Sequence, residues 1–585
     1  MTRKLISSES SSDTDERRSL IDKLRKETGG GYDSVGSVES AVAPRPPAVS
    51  LSWEDIRVSI PAIGKGCCSY FQRSEQKDKA ILNGVSGAVR SGQLLALMGA
   101  SGAGKTTLLN VLTGRNTGGL QVEGSVLVNG EALGRKEMSR VSAYVQQSDL
   151  FVGALTVREH LLFQATLRLP SSHYSLTQKT ARADEVLAEM GLLKVKDSLI
   201  GIPGMIRGIS GGERKRLAFA SEALNNPSIF FCDEPTTGLD SFMAEQVVAQ
   251  LLRMADKGRT IICTIHQPPS EVFAMFSQVL LLAEGETAFF GSRQDALSFF
   301  AANGYECPAS FNPADFFIQT LAIVPSQKEK CLQRIAEITD DFKASSAAQA
   351  LESQISDAKN QKHGLFSKED LNMSYSASFL TQFLYCLWRA NVYNIRNYRI
   401  IWVRLVQKLI MGLLVGLLYL QTPLNQVAIR DLEGALFFIM MQISIPAMMN
   451  VLRNLPSDYP VLCREYHSGM YSVTAYYAGK VFSFIPAFLF DGLIFHTVAY
   501  WMVGLNPAPD AFFLSLLTAI LLEQCSCSFG TMLSASTPGF HVALTLVGPL
   551  SLLLQMTGGL LANVKTLPVY LSWVQYISWY RYGYE

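Results

Sequence analysis

Gly99-Ala100-Ser101-Gly102-Ala103-Gly104-Lys105-Thr106 decides how this chain is read. It fits the pattern GxxxxGK[ST], between an apolar run, Leu94–Met98, and a helix-forming stretch, Thr106–Leu112. A strand, a glycine-rich loop and a helix in that order build a phosphate cradle. The glycines let the backbone wrap the phosphates, and the amides that open the helix donate to them. Gly99, Ala100, Ser101, Gly102, Ala103, Gly104, Lys105, Thr106 and Thr107 are therefore expected to hold ATP. Lys105 is expected at the β- and γ-phosphates, and the Thr106 hydroxyl on Mg²⁺. A chance match somewhere along the chain has a probability of roughly 2% from average residue usage, and the flanking strand and helix lower it further.

Two further stretches belong with this loop. Ile229-Phe-Phe-Cys-Asp233-Glu234 reads as a buried strand ending in two acids. Asp233 can hold Mg²⁺ through water, and Glu234 is the natural general base for an attacking water. An acidic turn after a strand is common by itself; downstream of a phosphate loop it gains meaning. Between the two lies Ile209-Ser210-Gly211-Gly212-Glu213-Arg214, opening a helix over Arg214–Leu224. Ser210, Gly211 and Gly212 can present a hydroxyl and open amides to a phosphate. A chain with its own phosphate loop has no need of a second such surface in cis, so this one is expected to serve the ATP of a partner subunit.

Around these motifs, residues 49–322 alternate strands and helices, which implies an α/β domain with a mainly parallel sheet and covered faces. Residues 1–48 are rich in Ser, Gly and acids and end in Pro44-Arg-Pro-Pro47, the composition of a disordered tail without a secretory signal. Within it, Glu16-Arg-Arg-Ser-Leu20-Ile21 resembles an acidic dileucine address for lysosome-like organelles. Residues 323–400 read as a polar connector and amphipathic elbow, with an Asn372-Met-Ser374 sequon expected on the cytosolic side.

Residues 401–585 change character. Five membrane spans are expected near 405–420, 434–452, 481–505, 511–533 and 540–562, each measured against ~30 Å of hydrocarbon. The first is the weakest, because Arg404 and Lys408 would have to snorkel to the cytosolic surface. Arg389, Arg396, Arg399, Arg453, Arg464 and Lys480 flank the spans so as to leave the α/β domain and the second loop cytosolic. Asp491 and Glu523 fall near mid-span. Such groups are costly in lipid, so they mark either a substrate pathway or a structural pair with a neighbouring helix.

Composition agrees with this division. Of 585 residues, 48% are hydrophobic and 17% charged, against about 25% charged in a typical soluble protein. Net charge is +1, which offers no bulk attraction for nucleic acid. The 10 cysteines are scattered, with no CxxC pair or zinc spacing. The spans argue strongly against a soluble ATPase of DNA repair or translation.

The phosphate loop, Gln147 of Val145-Gln-Gln-Ser-Asp149, Ser210–Arg214, Asp233-Glu234, Gly238-Leu-Asp240 and His266 come in the order found in ATP-binding-cassette transporters, which the chain resembles. The resemblance implies that Gln147 joins the nucleotide site, with Thr106 and Asp233 on Mg²⁺, to the membrane domain. It implies further that Asp240 lies at a cassette interface, that His266 meets the γ-phosphate, and that Ser210, Gly211, Gly212 and Glu213 form a signature acting in trans. No residue stands out for stacking adenine, although Tyr70 and Phe71 are candidates. Cassette first and membrane part second, with Asn312-Pro-Ala-Asp-Phe316 and the stretch Arg214–Leu224, is similar to eukaryotic subfamily G half-transporters of the White, eye-pigment-precursor type.

The resemblance implies an ATP-driven exporter of small organic or lipophilic molecules. It would work as a homo- or heterodimer with a second half-transporter, in the plasma membrane or the membrane of a lysosome-related organelle. Such membrane domains usually carry a sixth span, and the chain stops at Glu585 before one. The alternative reading is thus a truncated, non-transporting ATP-binding partner. Coupling to the membrane is expected through a loop around Leu462-Cys-Arg-Glu-Tyr466.

Overall fold

A computed structural model describes residues 47–61, 78–202, 204, 206–360, 376–423, 425–562 and 568–585. The Leu20-Ile21 pair, Tyr70, Phe71 and the Asn372 sequon lie outside the described residues. The chain divides into two units, one of Met1–Asp149, Ser172–Ser198 and Ile209–Ser374, the other of Leu150–Ser171, Leu199–Gly208 and Tyr375–Glu585.

The first unit is built on two sheets. Its strands in chain order are β1 (Leu51–Ile60), β2 (Lys79–Val89), β3 (Leu94–Gly99), β4 (Gln121–Val128), β5 (Glu131–Ala132), β6 (Ser142–Val145), β7 (Ile229–Asp233), β8 (Thr260–Thr264), β9 (Gln278–Ala283) and β10 (Glu286–Gly291). The larger sheet runs β10-β9-β3-β8-β7-β6 and is parallel except at the β10 edge. Every residue of β3, β7 and β8 is buried, which is why these strands read as unbroken apolar runs. The smaller sheet, β2-β1-β4-β5, is antiparallel.

The principal helices are α1 (Lys105–Thr113), α2 (Val157–Arg168), α3 (Gly211–Ala223), α4 (Ser241–Asp256), α5 (Lys328–Ala344), α6 (Ser346–Asn360), α7 (Phe379–Arg396), α8 (Tyr398–Leu418), α9 (Ile429–His467), α10 (Val473–Val503), α11 (Pro509–Ser536), α12 (Phe540–Met556) and α13 (Trp579–Tyr584). Most of the stretch expected as a connector is not free. In α5 the residues Cys331, Ile335, Ile338 and Phe342 form one buried stripe, and Leu351, Ile355 and Ala358 do the same in α6. These faces pack on β10 and on β1 and β2, and Lys359 closes the contact with a 2.5 Å bond to Glu54. The polar composition of 328–360 reflects outer faces, not a solvated linker.

The second unit is helical. Among the described residues, four helices are long and apolar enough to cross a membrane: Tyr398–Leu418, Gln426–His467, Val473–Val503 and Pro509–Ser536. Helix α12, at 17 residues, is shorter than the expected fifth span, because the chain leaves the helix at Thr557-Gly558-Gly559. Helix α9 runs on through Pro446, Pro456 and Pro460 to His467, so Leu462–Tyr466, expected as a loop, is helical. In apolar surroundings a helix tolerates proline when neighbours compensate the lost backbone bond.

Arg404 and Lys408 do not snorkel. Arg404 pairs with Asp491 of α10, and Lys408, 7% exposed, lies 3.9 Å from Glu523 of α11 and donates to the Gln442 carbonyl at 3.0 Å. Spaced four apart, Arg404, Lys408, Gly412 and Gly416 share one stripe of α8. Helix α10 presses so closely there that a Cβ on Gly416 would meet Met502 at 2.6 Å. Two cations at one end and small residues at the other thus dock α8, whose remaining faces are largely exposed.

At the other end of this unit, α2 meets α7. Arg396 forks onto both Glu159 oxygens at 2.6 and 2.8 Å and onto the Ala154 carbonyl at 2.8 Å. Arg389 is buried between Glu465, at 2.7 Å, and the Phe163 ring, at 4.3 Å. Arg464 lies over the Phe151 ring at 5.6 Å.

Candidate nucleotide site

The order β3-β8-β7-β6 sets the carboxyl ends of four parallel strands side by side, which is where α/β sheets place their ligand sites. The phosphate loop leaves β3, Thr264 and then His266 leave β8, Asp233 and Glu234 close β7, and Gln147 comes just after β6. Residues far apart in sequence therefore converge on one edge.

Gly99 has φ 153°, and a Cβ there would lie 2.3 Å from the Leu282 carbonyl oxygen, so this corner of the loop admits only glycine. Gly102 faces open space, with nothing within 4 Å of the corresponding point. The Lys105 ammonium donates to the loop carbonyls of Gly99 and Ala100, both at 2.9 Å, and so ties the cradle closed. Burial lowers this ammonium from its ordinary range, while the Glu234 and Asp233 carboxylates oppose the shift. Thr106, the second residue of α1, points its hydroxyl at Asp233 Oδ1, 3.5 Å away.

Asp233 is held on both oxygens. Oδ1 accepts from the Thr264 hydroxyl at 2.8 Å, and Oδ2 accepts from the Tyr144 hydroxyl at 3.2 Å. Burial, with the Asp233 charge beside it, pushes the Tyr144 phenol well above its ordinary range, so it stays a donor. Glu234 has the left-handed φ of 46°, uncommon outside glycine. Its carboxylate accepts from Gln147 Nε2 at 2.6 Å and from the Thr237 hydroxyl at 3.0 Å. The Thr106 hydroxyl and the Asp233 carboxylate, 3.5 Å apart, are hard oxygen donors of the kind that suits Mg²⁺, and the Gln147 side chain carries a third such oxygen.

Of the remaining expected residues, Ser210, Gly211, Asp240 and His266 are exposed. Ser210 caps α3: its hydroxyl donates to Glu213 Oε2 at 2.8 Å and accepts the Glu213 amide at 3.3 Å. This capping box satisfies the first turn of the helix internally. Gly211 is exposed and Gly212 buried. Asp240 caps α4 through Oδ1 to the Met243 amide at 2.7 Å, and His266 is exposed just beyond β8.

Sequence patterns alone miss Thr264 and Tyr144. Their positions carry the only signal: Thr264 ends a buried strand two residues before His266, and Tyr144 lies three before Gln147. Asp491 and Glu523 belong to the second unit. Neither Glu523 oxygen has a hydrogen-bond partner among the described residues, whereas Asp491 is occupied by Arg404.

A P-loop α/β cassette succeeded by a polytopic helical domain defines an ATP-binding-cassette transporter. Residues 82–237 match the ABC transporter family, and residues 381–585 and 266–340 match two ABC-2 type transporter families. The chain is 42% identical to Protein white of Drosophila melanogaster over 509 residues, covering 87% of this chain and 74% of that one. It is 38% identical to Protein scarlet of the same fly over 546 residues, covering 93% and 80%. Identity to the broad substrate specificity ATP-binding cassette transporter ABCG2 of Bos taurus is 34% over 532 residues, covering 87% and 79%. The chain belongs to the ABC transporter family, in subfamily G with White and Scarlet, and is an integral, multi-pass membrane protein.

Proposed function

We propose that this chain is one half of an ATP-driven exporter that moves small organic or lipophilic molecules out of the cytosol. The observation that carries the reading is the convergence of Lys105, Thr106, Asp233, Glu234 and Gln147 on one sheet edge in a chain with membrane-length helices. Pigment-precursor-like molecules are the substrate class implied by the resemblance to White-type half-transporters.

The steps can be assigned residue by residue. Loop amides and Lys105 bind the phosphates of ATP. Thr106, Asp233 and Gln147 would hold Mg²⁺, which when bound neutralises the β- and γ-phosphates. Glu234 takes a proton from water as its oxygen attacks the γ-phosphorus, and the bond to the β–γ bridging oxygen breaks to release ADP. His266 steadies the γ-phosphate. A second cassette supplies Ser210, Gly211 and Gly212 across the interface near Asp240, with Glu213 releasing the Ser210 hydroxyl as the partner's nucleotide arrives. One cassette with one membrane domain is half of such a machine, so the working form is a dimer with a second half-transporter.

Residues 150–171 continue directly from Gln147 and Asp149 and pack on α7 and the end of α9, which supports coupling along that segment. Of the two mid-membrane acids, Glu523 is the better candidate for the substrate pathway, because its carboxylate is not consumed by hydrogen bonds. The test is ATP-dependent uptake into inside-out vesicles holding the chain with a partner half-transporter. Uptake that is the same without hydrolysable ATP would refute the proposal.

A further inference from the structure

Across the β7–β8 pairing, Asp233 stands directly opposite Thr264, so both side chains leave the sheet on one face. The Thr264 hydroxyl accepts the Glu234 backbone amide at 2.7 Å and donates to Asp233 Oδ1 at 2.8 Å. A hydroxyl has a single proton, and an amide can only donate. The direction of both bonds is therefore determined: the proton points at Asp233. Thr264 is 0% exposed, so no water competes for these bonds.

The same amide belongs to the residue at φ 46°, a conformation that costs free energy and persists only where neighbours impose it. Thr264 is one such neighbour. Tyr144, from β6 on the far side of β7, takes the other Asp233 oxygen at 3.2 Å. The carboxylate is thereby gripped from two strands, with Oδ1 left facing the Thr106 hydroxyl.

We propose that Thr264 is a positioning residue that sets the Mg²⁺-side carboxylate of Asp233 and the backbone of Glu234 with one hydroxyl, Tyr144 holding the opposite Asp233 oxygen. The inference rests on the proposed ATP hydrolysis at this site. A positioning role differs from a packing role, because threonine and valine fill similar space and only one of them makes the two bonds.

The test uses the full-length chain assembled as a dimer in nanodiscs, with a fluorescent ATP analogue as probe, in EDTA and across a Mg²⁺ titration. For Thr264→Val, binding in EDTA stays within about twofold, while the Mg²⁺ needed for half-maximal metal-dependent binding rises roughly 10–100-fold and turnover falls by a similar factor. Thr264→Ser, which keeps the hydroxyl, returns both to within about threefold of the parent, and Tyr144→Phe shifts the Mg²⁺ requirement the same way by a smaller factor. An unchanged Mg²⁺ requirement in Thr264→Val overturns the assignment, as does a Thr264→Ser as impaired as Thr264→Val. Should Thr264→Val fail to fold, an unchanged Mg²⁺ requirement in Tyr144→Phe overturns it instead. Glu234→Gln separates the two levels. Parental turnover in that variant defeats the site reading itself, whereas loss of turnover there with a normal Thr264→Val defeats only the role of Thr264.

Discussion

Gln147 donates its side-chain amide to the Glu234 carboxylate across 2.6 Å, linking a residue proposed to hold Mg²⁺ to the residue expected to activate water. Both are at the surface edge of the sheet, where neither is buried. The bond holds Glu234 from the β6 side while Thr237 holds it from its own turn.

Gln147→Ala should therefore lower ATP turnover roughly 10–100-fold while leaving nucleotide affinity in EDTA unchanged, since the lost contact orients the proposed general base and a proposed Mg²⁺ ligand. Steady-state hydrolysis and fluorescent-nucleotide binding on the same preparation check this. Equal losses in both would mean that Gln147 acts on binding and not on Glu234.

The contact of α2 with α7 should weaken in acid. Hydrogen bonds from Arg396 hold the Glu159 carboxyl below its ordinary range. A depressed carboxyl stabilises the fold above its unfolded value, about 4.3, and that contribution disappears as pH falls through the lower folded value. The melting temperature of Glu159→Gln should lie below the parent's at neutral pH, and the gap should narrow below about pH 4. A gap independent of pH would rule out the ion pair as its cause.

Arg389 and Glu465 are both buried, their side chains 7% and 1% exposed, and Tyr471 completes the Glu465 shell with a 2.5 Å bond. Removing one partner strands the other charge, a loss of about 3–5 kcal/mol, whereas removing both is much milder. Arg389→Met should melt well below the parent, and Arg389→Met with Glu465→Met should recover most of the difference. Thermal unfolding of the three proteins in one detergent decides. A double variant no better than the single one would contradict the pairing.

Features of this chain differ in how far the sequence alone reveals them. The cassette is legible, because Gly99–Thr106, Ser210–Arg214 and Asp233-Glu234 are local patterns whose chemistry requires contiguous residues. Parallel strands buried on both faces also announce themselves as apolar runs. Pairings set by tertiary packing are not legible. Arg404 and Lys408 look like ends of a span because hydropathy has no knowledge of Asp491 or Glu523 on neighbouring helices. The bases at 453 and 464 suggest a cytosolic loop after the second span, yet contacts to α10, α11 and α12 carry α9 through to His467. Thr264 is invisible because its importance comes from β-sheet register, which a single strand does not reveal.

Whether ATP hydrolysis at Glu234 drives export can be read in one experiment. ATP-dependent uptake is measured together with hydrolysis, in inside-out vesicles of the assembled dimer carrying either the parent chain or Glu234→Gln. The variant is expected to bind ATP as the parent does but to lose both hydrolysis and uptake. Undiminished turnover, or uptake that survives the loss of turnover, would contradict a transport cycle driven from Glu234.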